Sequence, residues 1–287
     1  MFDEAALDVN IKGMADESMK YPLAYGYSLV GVVTRCAPDV SDSEDLVGRL
    51  VFTFSPHSSH VVVDRDSIKI VPDGISAKDA IFMPSVETAL SLVHDAHVRI
   101  GENVAVFGQG LIGLLVNAIL NNQQSESTLG TFGTVTVFDT LSDRLAAASV
   151  MGAHQALLPS EVVSAGPFDV SIEVSGNSRA LQAAIDNTLN GGRVIVGSWY
   201  GNADISLKLG IDFHRSHKVI KTSQVSEIPA ELKTLWSKER RFELIWELVK
   251  ALRPSRLITK ELCLDQAQEA YDLLDKGEEI AVAFSYE

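Results

Sequence analysis

The run V-A-V-F-G-Q-G-L-I-G, Val104 to Gly113, constrains this chain more than any other stretch. Four apolar residues suited to a buried parallel strand lead into G-x-G-x-x-G, and an apolar helical segment follows. Each glycine has a separate physical job in cradling a dinucleotide pyrophosphate. Gly108 permits the tight strand-to-helix turn, Gly110 lets the backbone approach the phosphates, and Gly113 lets helix and strand pack closely. Leu111 and Ile112 open the helix, whose free N–H groups and positive dipole end face the anion.

The rest of the composition narrows the class. At 287 residues the chain exceeds a comfortable single core, so two domains are expected. A formal net charge of −14 opposes nucleic acid or an anionic membrane as partner and leaves a small-molecule substrate. Cys36 and Cys263 are the only cysteines, which excludes a disulfide framework and a C-x-x-C metal knuckle. The first residues, M-F-D-E-A-A-L-D, lack a basic and then apolar leader pattern. The longest apolar stretch, Val104 to Leu120, is interrupted by Gly and Gln, and no membrane span is expected. A cytoplasmic protein is the expectation.

To about Asp79 the chain is rich in short β-like runs, Ser28–Thr34, Leu50–Phe54, His60–Asp64 and Ser67–Val71, separated by turn residues. Ala77–His94 is patterned as helix. Strands and helices then alternate: strands at Thr134–Asp139, Phe168–Val174, Arg193–Val196 and Lys218–Ser223, helices at Ser142–Met151 and Ser178–Leu189. That alternation predicts an α/β domain with a doubly wound parallel sheet. The tail reads as helices at Ala230–Leu235, Arg241–Leu252 and Asp265–Leu274 with strands at Leu257–Leu264 and Ile280–Tyr286. Gln123–Gly133 is a polar insert, expected as a surface loop.

Asp139 closes the strand T-V-T-V-F-D, where a carboxylate binds both hydroxyls of the adenosine ribose. Its distance from Gly108 exceeds the usual spacing of about 20 residues, and the polar insert accounts for the excess. A carboxylate there favours NAD over NADP, while Arg144 nearby keeps NADP open. Ser175, Gly176, Gly197, Ser198 and Ser223 follow strand ends, where ligands of open α/β sheets bind, so they are candidates for the nicotinamide half. Trp199 and Tyr200 come next as candidate aromatic walls for a substrate.

A β-rich unit, a nucleotide-binding domain and a return segment, in that order, resemble the medium-chain dehydrogenase/reductase family. Its P-x-x-x-G-H-E-x-x-G-x-V spacing is present at Pro22–Val33, and V-P-D-G-I-S-A-K-D-A, F-D-V-S-I-E-V-S-G and N-G-G-R-V-I-V-G also match. The runs Y-G-Y-S-L-V-G, V-F-T-F-S-P-H, M-P-S-V-E-T-A-L and G-S-W-Y-G look like the zinc-independent branch containing hydroxyethyl bacteriochlorophyllide dehydrogenase. The resemblance implies a GroES-like substrate domain at residues 1–90, a Rossmann domain at 91–225, and a segment at 226–287 that completes the substrate domain. The substrate domain is N-terminally shortened relative to the family pattern. A homodimer is implied in the same way.

The family's catalytic zinc makes hydride departure easier by polarising the alcohol oxygen. Here its His, Glu and Cys positions are Tyr27, Ser28 and Pro84, so no metal site is expected. His57 and His60 form a local pair that lacks a third ligand. The resemblance places Tyr27, His57 and Glu87 near the cleft: His57 as general base, Tyr27 as donor to the substrate oxygen, Glu87 as an orienting group. The expected activity is a zinc-independent, NAD(H)-linked interconversion of a secondary alcohol and a ketone on a small, cyclic or aromatic molecule. Two alternatives stand beside it, an NADPH-dependent quinone or enone double-bond reductase and a non-catalytic dinucleotide-binding sensor or accessory protein.

Overall fold

The structure is a computed structural model that describes residues 24–40, 42–122 and 133–286. The insert read at Gln123–Gly133 lies outside the described residues except for Gly133, as do the acidic first residues and Pro22 of the Pro22–Val33 motif.

The N-terminal part contains β1 (Leu29–Val32), α1 (Ser43–Leu46), β2 (Leu50–Thr53) and β3 (Ile68–Ile70), with the strands in one antiparallel sheet. Val30 faces Phe52, which in turn faces Lys69, and Phe52 is wholly buried. The run read as a strand at His60–Asp64 is not one. Val62 is fully exposed, and an extended segment with no neighbouring backbone to pair with gains nothing from the ladder.

The helix expected over Ala77–His94 is two helices, α2 (Ala77–Ala80) and α3 (Met83–Ala96). Ser76 caps α2 by accepting from the Asp79 N–H at 3.1 Å. Pro84 sits in the first turn of α3, where its missing N–H costs nothing. The division expected at residue 90 falls inside α3, whose Met83, Val86, Leu90 and Leu92 join the main core.

The central sheet is built from β4 (Val104–Phe107), α4 (Leu111–Asn122), β5 (Val135–Phe138), α5 (Ser142–Val150), β6 (Gln155–Leu157), α6 (Val162–Ala165), β7 (Phe168–Glu173), α7 (Ser178–Asp186), β8 (Thr188–Val196), α8 (Ile211–Arg215) and β9 (Val219–Thr222). Its strands run parallel in the order β6-β5-β4-β7-β8-β9. This is the doubly wound α/β architecture, and the order reverses between β4 and β7, which opens a ligand crevice there. Both β6 and α6 escaped the sequence reading because elements of three and four residues carry no measurable period. Strand β8 begins earlier than expected, since Thr188 pairs with Phe168 before the ladder shifts register around Asn190-Gly191-Gly192. Arg193 on β8 donates to both Glu102 oxygens at 3.0 and 2.6 Å and to the His97 carbonyl at 2.6 Å. It thereby satisfies carbonyl groups left over at the end of α3.

The return segment comprises α9 (Lys238–Leu252), β10 (Ile258–Cys263), α10 (Ala267–Asp275) and β11 (Ala281–Ser285). Ser237 caps α9, whose Ile245, Leu248 and Val249 pack into the same core as α3 and α4. The helix expected at Ala230–Leu235 is a series of turns beginning at Pro229. β10 and β11 pair in parallel, and Phe284 of β11 meets His57 edge to face at 5.0 Å between ring centres. The tail therefore returns to the β-rich part. Among the described residues, no helix is long and apolar enough to cross a membrane.

Candidate active site

The fingerprint has the geometry its spacing predicts. Gly108 holds φ +96°, and a Cβ there would lie 2.7 Å from the Ser175 Cα and 2.8 Å from its N. A Cβ on Gly113 would fall 1.9 Å from the Gly108 carbonyl oxygen, whereas one on Gly110 would meet nothing within 4 Å. The first and third glycines are thus demanded by protein packing. The second faces open space, as approach by a phosphate requires. Leu111 and Ile112 are half-buried in the first turn of α4.

Asp139 directly follows β5 and is buried. Its Oδ2 accepts from the Gln109 N–H at 2.6 Å and its Oδ1 from the Leu141 N–H at 2.9 Å. Each oxygen keeps lone-pair capacity for a further donor, so a pinned carboxylate stands where two ribose hydroxyls would be read. Arg144 is engaged elsewhere: its Nη2 donates to the Gly277 carbonyl at 3.4 Å, across to the return segment.

The other predicted strand-end residues divide by what their atoms already do. The Gly176 N–H donates to Ser198 Oγ at 2.8 Å, and the Ser175 N–H and Oγ both donate to Glu173 at 2.7 Å. A Cβ on Gly197 would strike Leu92 and Val174 at 2.6 and 2.9 Å, so this glycine serves close packing on α3. The Ser223 hydroxyl is spent on Asp95 at 2.7 Å. Trp199 is 62% exposed and stands apart from any wall, while Tyr200 donates its hydroxyl to Glu173 Oε2 at 2.7 Å. Of the two rings expected as an aromatic wall, one faces solvent and the other is tied by its hydroxyl to a buried carboxylate.

The second part of the site is a cleft of about 220 Å³ lined by Tyr25, Tyr27, Ser28, His57, Pro84 and Ser85. The structure brings Tyr27, Ser28 and Pro84 together in this cleft. Ser28 Oγ donates to the Ile81 carbonyl at 2.5 Å, so its hydroxyl proton is turned away from the cleft. Gly26 lets His57 approach: it holds φ +118°, and a Cβ would lie 2.7 Å from the His57 nitrogen. That nitrogen donates to the Tyr25 carbonyl at 2.9 Å. Burial lowers the His57 pKa below the ordinary histidine value of about 6.5. A smaller hollow of about 80 Å³ adjoins it, formed by His57 with Tyr271, Leu274 and Phe284 from the return segment.

Glu87 does not line this cleft. It is buried on α3, and its Oε1 accepts from Arg241 Nη2 at 2.5 Å. The same Nη2 donates to the Val225 carbonyl at 2.9 Å, so Glu87 and Arg241 brace α3, α9 and the strand connection between them. Burial raises the Glu87 pKa, and the nearby Arg241 offsets only part of that rise. The expected orienting role fails on geometry, since a carboxylate already held by a buried guanidinium has no free reach to His57. His60 is exposed, with Nδ1 3.3 Å from Ser59 Oγ, and does not pair with His57. Among the described residues, no three His, Cys, Asp or Glu side chains cluster as a metal site requires.

Three structural residues went unnoticed in the sequence: Gln109, Glu173 and Arg241. Glu173 did leave a signal, a lone charge in the buried run F-D-V-S-I-E-V. Gln109 and Arg241 left none.

The chain is similar to known proteins in sequence and in fold. Over 236 residues the chain is 28% identical to D-guloside 3-dehydrogenase of Escherichia coli K12, covering 78% of this chain and 65% of that protein. It is 28% identical to L-threonine 3-dehydrogenase of Anaeromyxobacter dehalogenans 2CP-C, covering 77% and 61%. The chain thus spans less than two thirds of the length of these curated relatives. A crystal structure described as a short chain alcohol dehydrogenase from E. coli CFT073, complexed with NADH, shares the fold with a TM-score of 0.72 at 16% identity, covering 93% of this chain and 85% of that one. No family model matches. The fold is that of medium-chain alcohol dehydrogenases, a GroES-like part beside a Rossmann sheet. The curated relatives it resembles also include a zinc-type alcohol dehydrogenase-like protein of Escherichia coli K12, 24% identical over 235 residues and covering 77% of this chain and 60% of that protein.

Proposed function

We propose that this chain is a zinc-independent, NAD(H)-linked oxidoreductase that interconverts a secondary alcohol and a ketone on a small molecule. One observation carries the reading. A His and a Tyr line the cleft where the related enzymes' zinc positions fall, on a chain whose fingerprint crevice ends at a pinned Asp139. Asp139 opposes a 2′-phosphate, and the commitment of Arg144 to Gly277 removes the nearest cation that would accept one, so NAD is favoured over NADP.

When bound, the nicotinamide supplies hydride acceptance and return. The chain's own residues manage the proton. His57, kept neutral by burial, takes the hydroxyl proton on its ring nitrogen. Tyr27 donates a hydrogen bond to the same oxygen and stabilises the charge that develops there. Tyr25 and Tyr271, whose rings meet at 6.4 Å, flank the mouth and suit the apolar face of a ring-shaped substrate.

The test is a panel of cyclic and acyclic secondary alcohols with NAD, monitored for NADH formation, on protein assayed for bound metal and treated with chelator. Turnover that survives chelation at negligible zinc supports the reading, and turnover that requires added zinc refutes it. Reduction of quinones or enones with NADPH in place of alcohol oxidation would support the double-bond reductase. Tight NADH binding with no turnover on any panel would indicate a non-catalytic sensor.

A further inference from the structure

Glu173 is the most heavily engaged side chain in the crevice. It closes β7, in register with Phe107 of β4 and Val196 of β8, and it is wholly buried. Its Oε1 accepts from the Ser175 N–H at 2.7 Å, from Ser175 Oγ at 2.7 Å and from Ser198 Oγ at 2.9 Å. Its Oε2 accepts from Tyr200 Oη at 2.7 Å.

Two backbone groups extend the network: the Gly176 N–H donates to Ser198 Oγ, and the Asn177 N–H, at 3.1 Å, to Ser175 Oγ. Both hydroxyls donate to Glu173. Four donors converge on this carboxylate. Among the described residues it has no ion-pair partner. The carboxylate sits beneath the loops that follow β7 and β8, met by hydrogen-bond dipoles and by no cation. Those loops also touch the fingerprint, because Ser175 is the residue that a side chain on Gly108 would strike.

We infer that Glu173 is a positioning residue for the nicotinamide half of the cofactor, setting both strand-end loops and, through its uncompensated buried charge, favouring the oxidised ring over the reduced one. The inference rests on the dinucleotide reading above. The oxidised nicotinamide is a cation and the reduced one is neutral, so a fixed anion below the loops discriminates between them. The adenosine half is held separately, by Asp139 and the fingerprint.

The experiment is a titration of wild type, Glu173→Gln, Glu173→Asp and Tyr200→Phe with ADP-ribose, NAD+ and NADH, read by calorimetry. ADP-ribose reports the adenosine half and shows that the sheet is folded. In Glu173→Gln its affinity stays within about twofold of wild type, while NAD+ weakens on the order of tenfold more than NADH, as loss of one buried charge requires. Tyr200→Phe keeps the charge and leaves the NAD+/NADH affinity ratio unchanged. Glu173→Asp keeps the charge but withdraws its reach, so both nicotinamide forms weaken together while ADP-ribose does not. Equal weakening of NAD+ and NADH in Glu173→Gln overturns the charge effect. Weakening of ADP-ribose in step with the others, in either Glu173 variant, overturns the positioning role. Wild-type protein that binds none of the three overturns the dinucleotide reading and this inference with it.

Discussion

In the crevice over β4 and β7 the two acidic groups are already held by other parts of the protein before any ligand arrives. Asp139 is pinned by two backbone N–H groups and Glu173 by four donors, and Gly108 touches Ser175. Around His57 the opposite holds. Tyr27 is 57% exposed, Ser28 turns away to a carbonyl, and the His57 ring is steadied by Phe284 alone among aromatic neighbours in the described residues. A pre-ordered crevice binds a common ligand without reorganisation. A cleft with few fixed partners leaves its chemistry to one or two side chains, so its variants should separate turnover from cofactor binding.

The largest expected effect is on the cleft side. His57→Asn removes the base while preserving size, and should lower kcat by about 10²–10⁴ with NADH affinity unchanged. A parallel fall in NADH affinity would erase the contrast. Next comes the brace that joins the two regions. Arg241→Met leaves Glu87 buried without its cation and should cost about 3–5 kcal/mol in urea unfolding. On the crevice side, Gly108→Ala forces a side chain into φ +96° and onto Ser175. Strain of that kind costs roughly 1–3 kcal/mol, which should weaken NADH about tenfold to a hundredfold. Tyr27→Phe, which loses one hydrogen bond to the reacting oxygen, should reduce kcat/KM about tenfold and leave NADH binding alone.

The smallest effect is one of pH. Burial places the folded-state pKa of His57 below that of the unfolded chain, so its neutral form is favoured on folding. The stability it contributes is present above about pH 6.5 and is lost as pH falls through the folded value. The acid limb of kcat/KM should accordingly have its midpoint below pH 6.5, and a midpoint above that value would show that His57 does not titrate the reaction.

What could be read from sequence follows the same division. The parallel sheet and the close packing at Gly108 and Gly113 were legible because backbone constraints recur at fixed spacing and leave period and composition behind. The cleft was legible only as a set of departures from a family pattern at Tyr27, Ser28 and Pro84, since what lines it is decided by tertiary contact. Glu87 was misplaced because its partner, Arg241, is far away in sequence on a helix of the return segment. Trp199 and Tyr200, adjacent in the chain, end in different environments, one in solvent and one on Glu173. Nothing local distinguishes them. His60–Asp64 has strand composition, but β structure also needs a neighbour, and sequence pattern alone does not supply one.

The central claim is that the crevice is a working dinucleotide site. It is tested most directly by titrating the purified protein with NADH and following energy transfer from protein aromatic residues to the nicotinamide. Saturable binding at submillimolar NADH that weakens at least about tenfold in Asp139→Ala is the predicted result. No change in fluorescence up to millimolar NADH, or equal binding by wild type and Asp139→Ala, would contradict it.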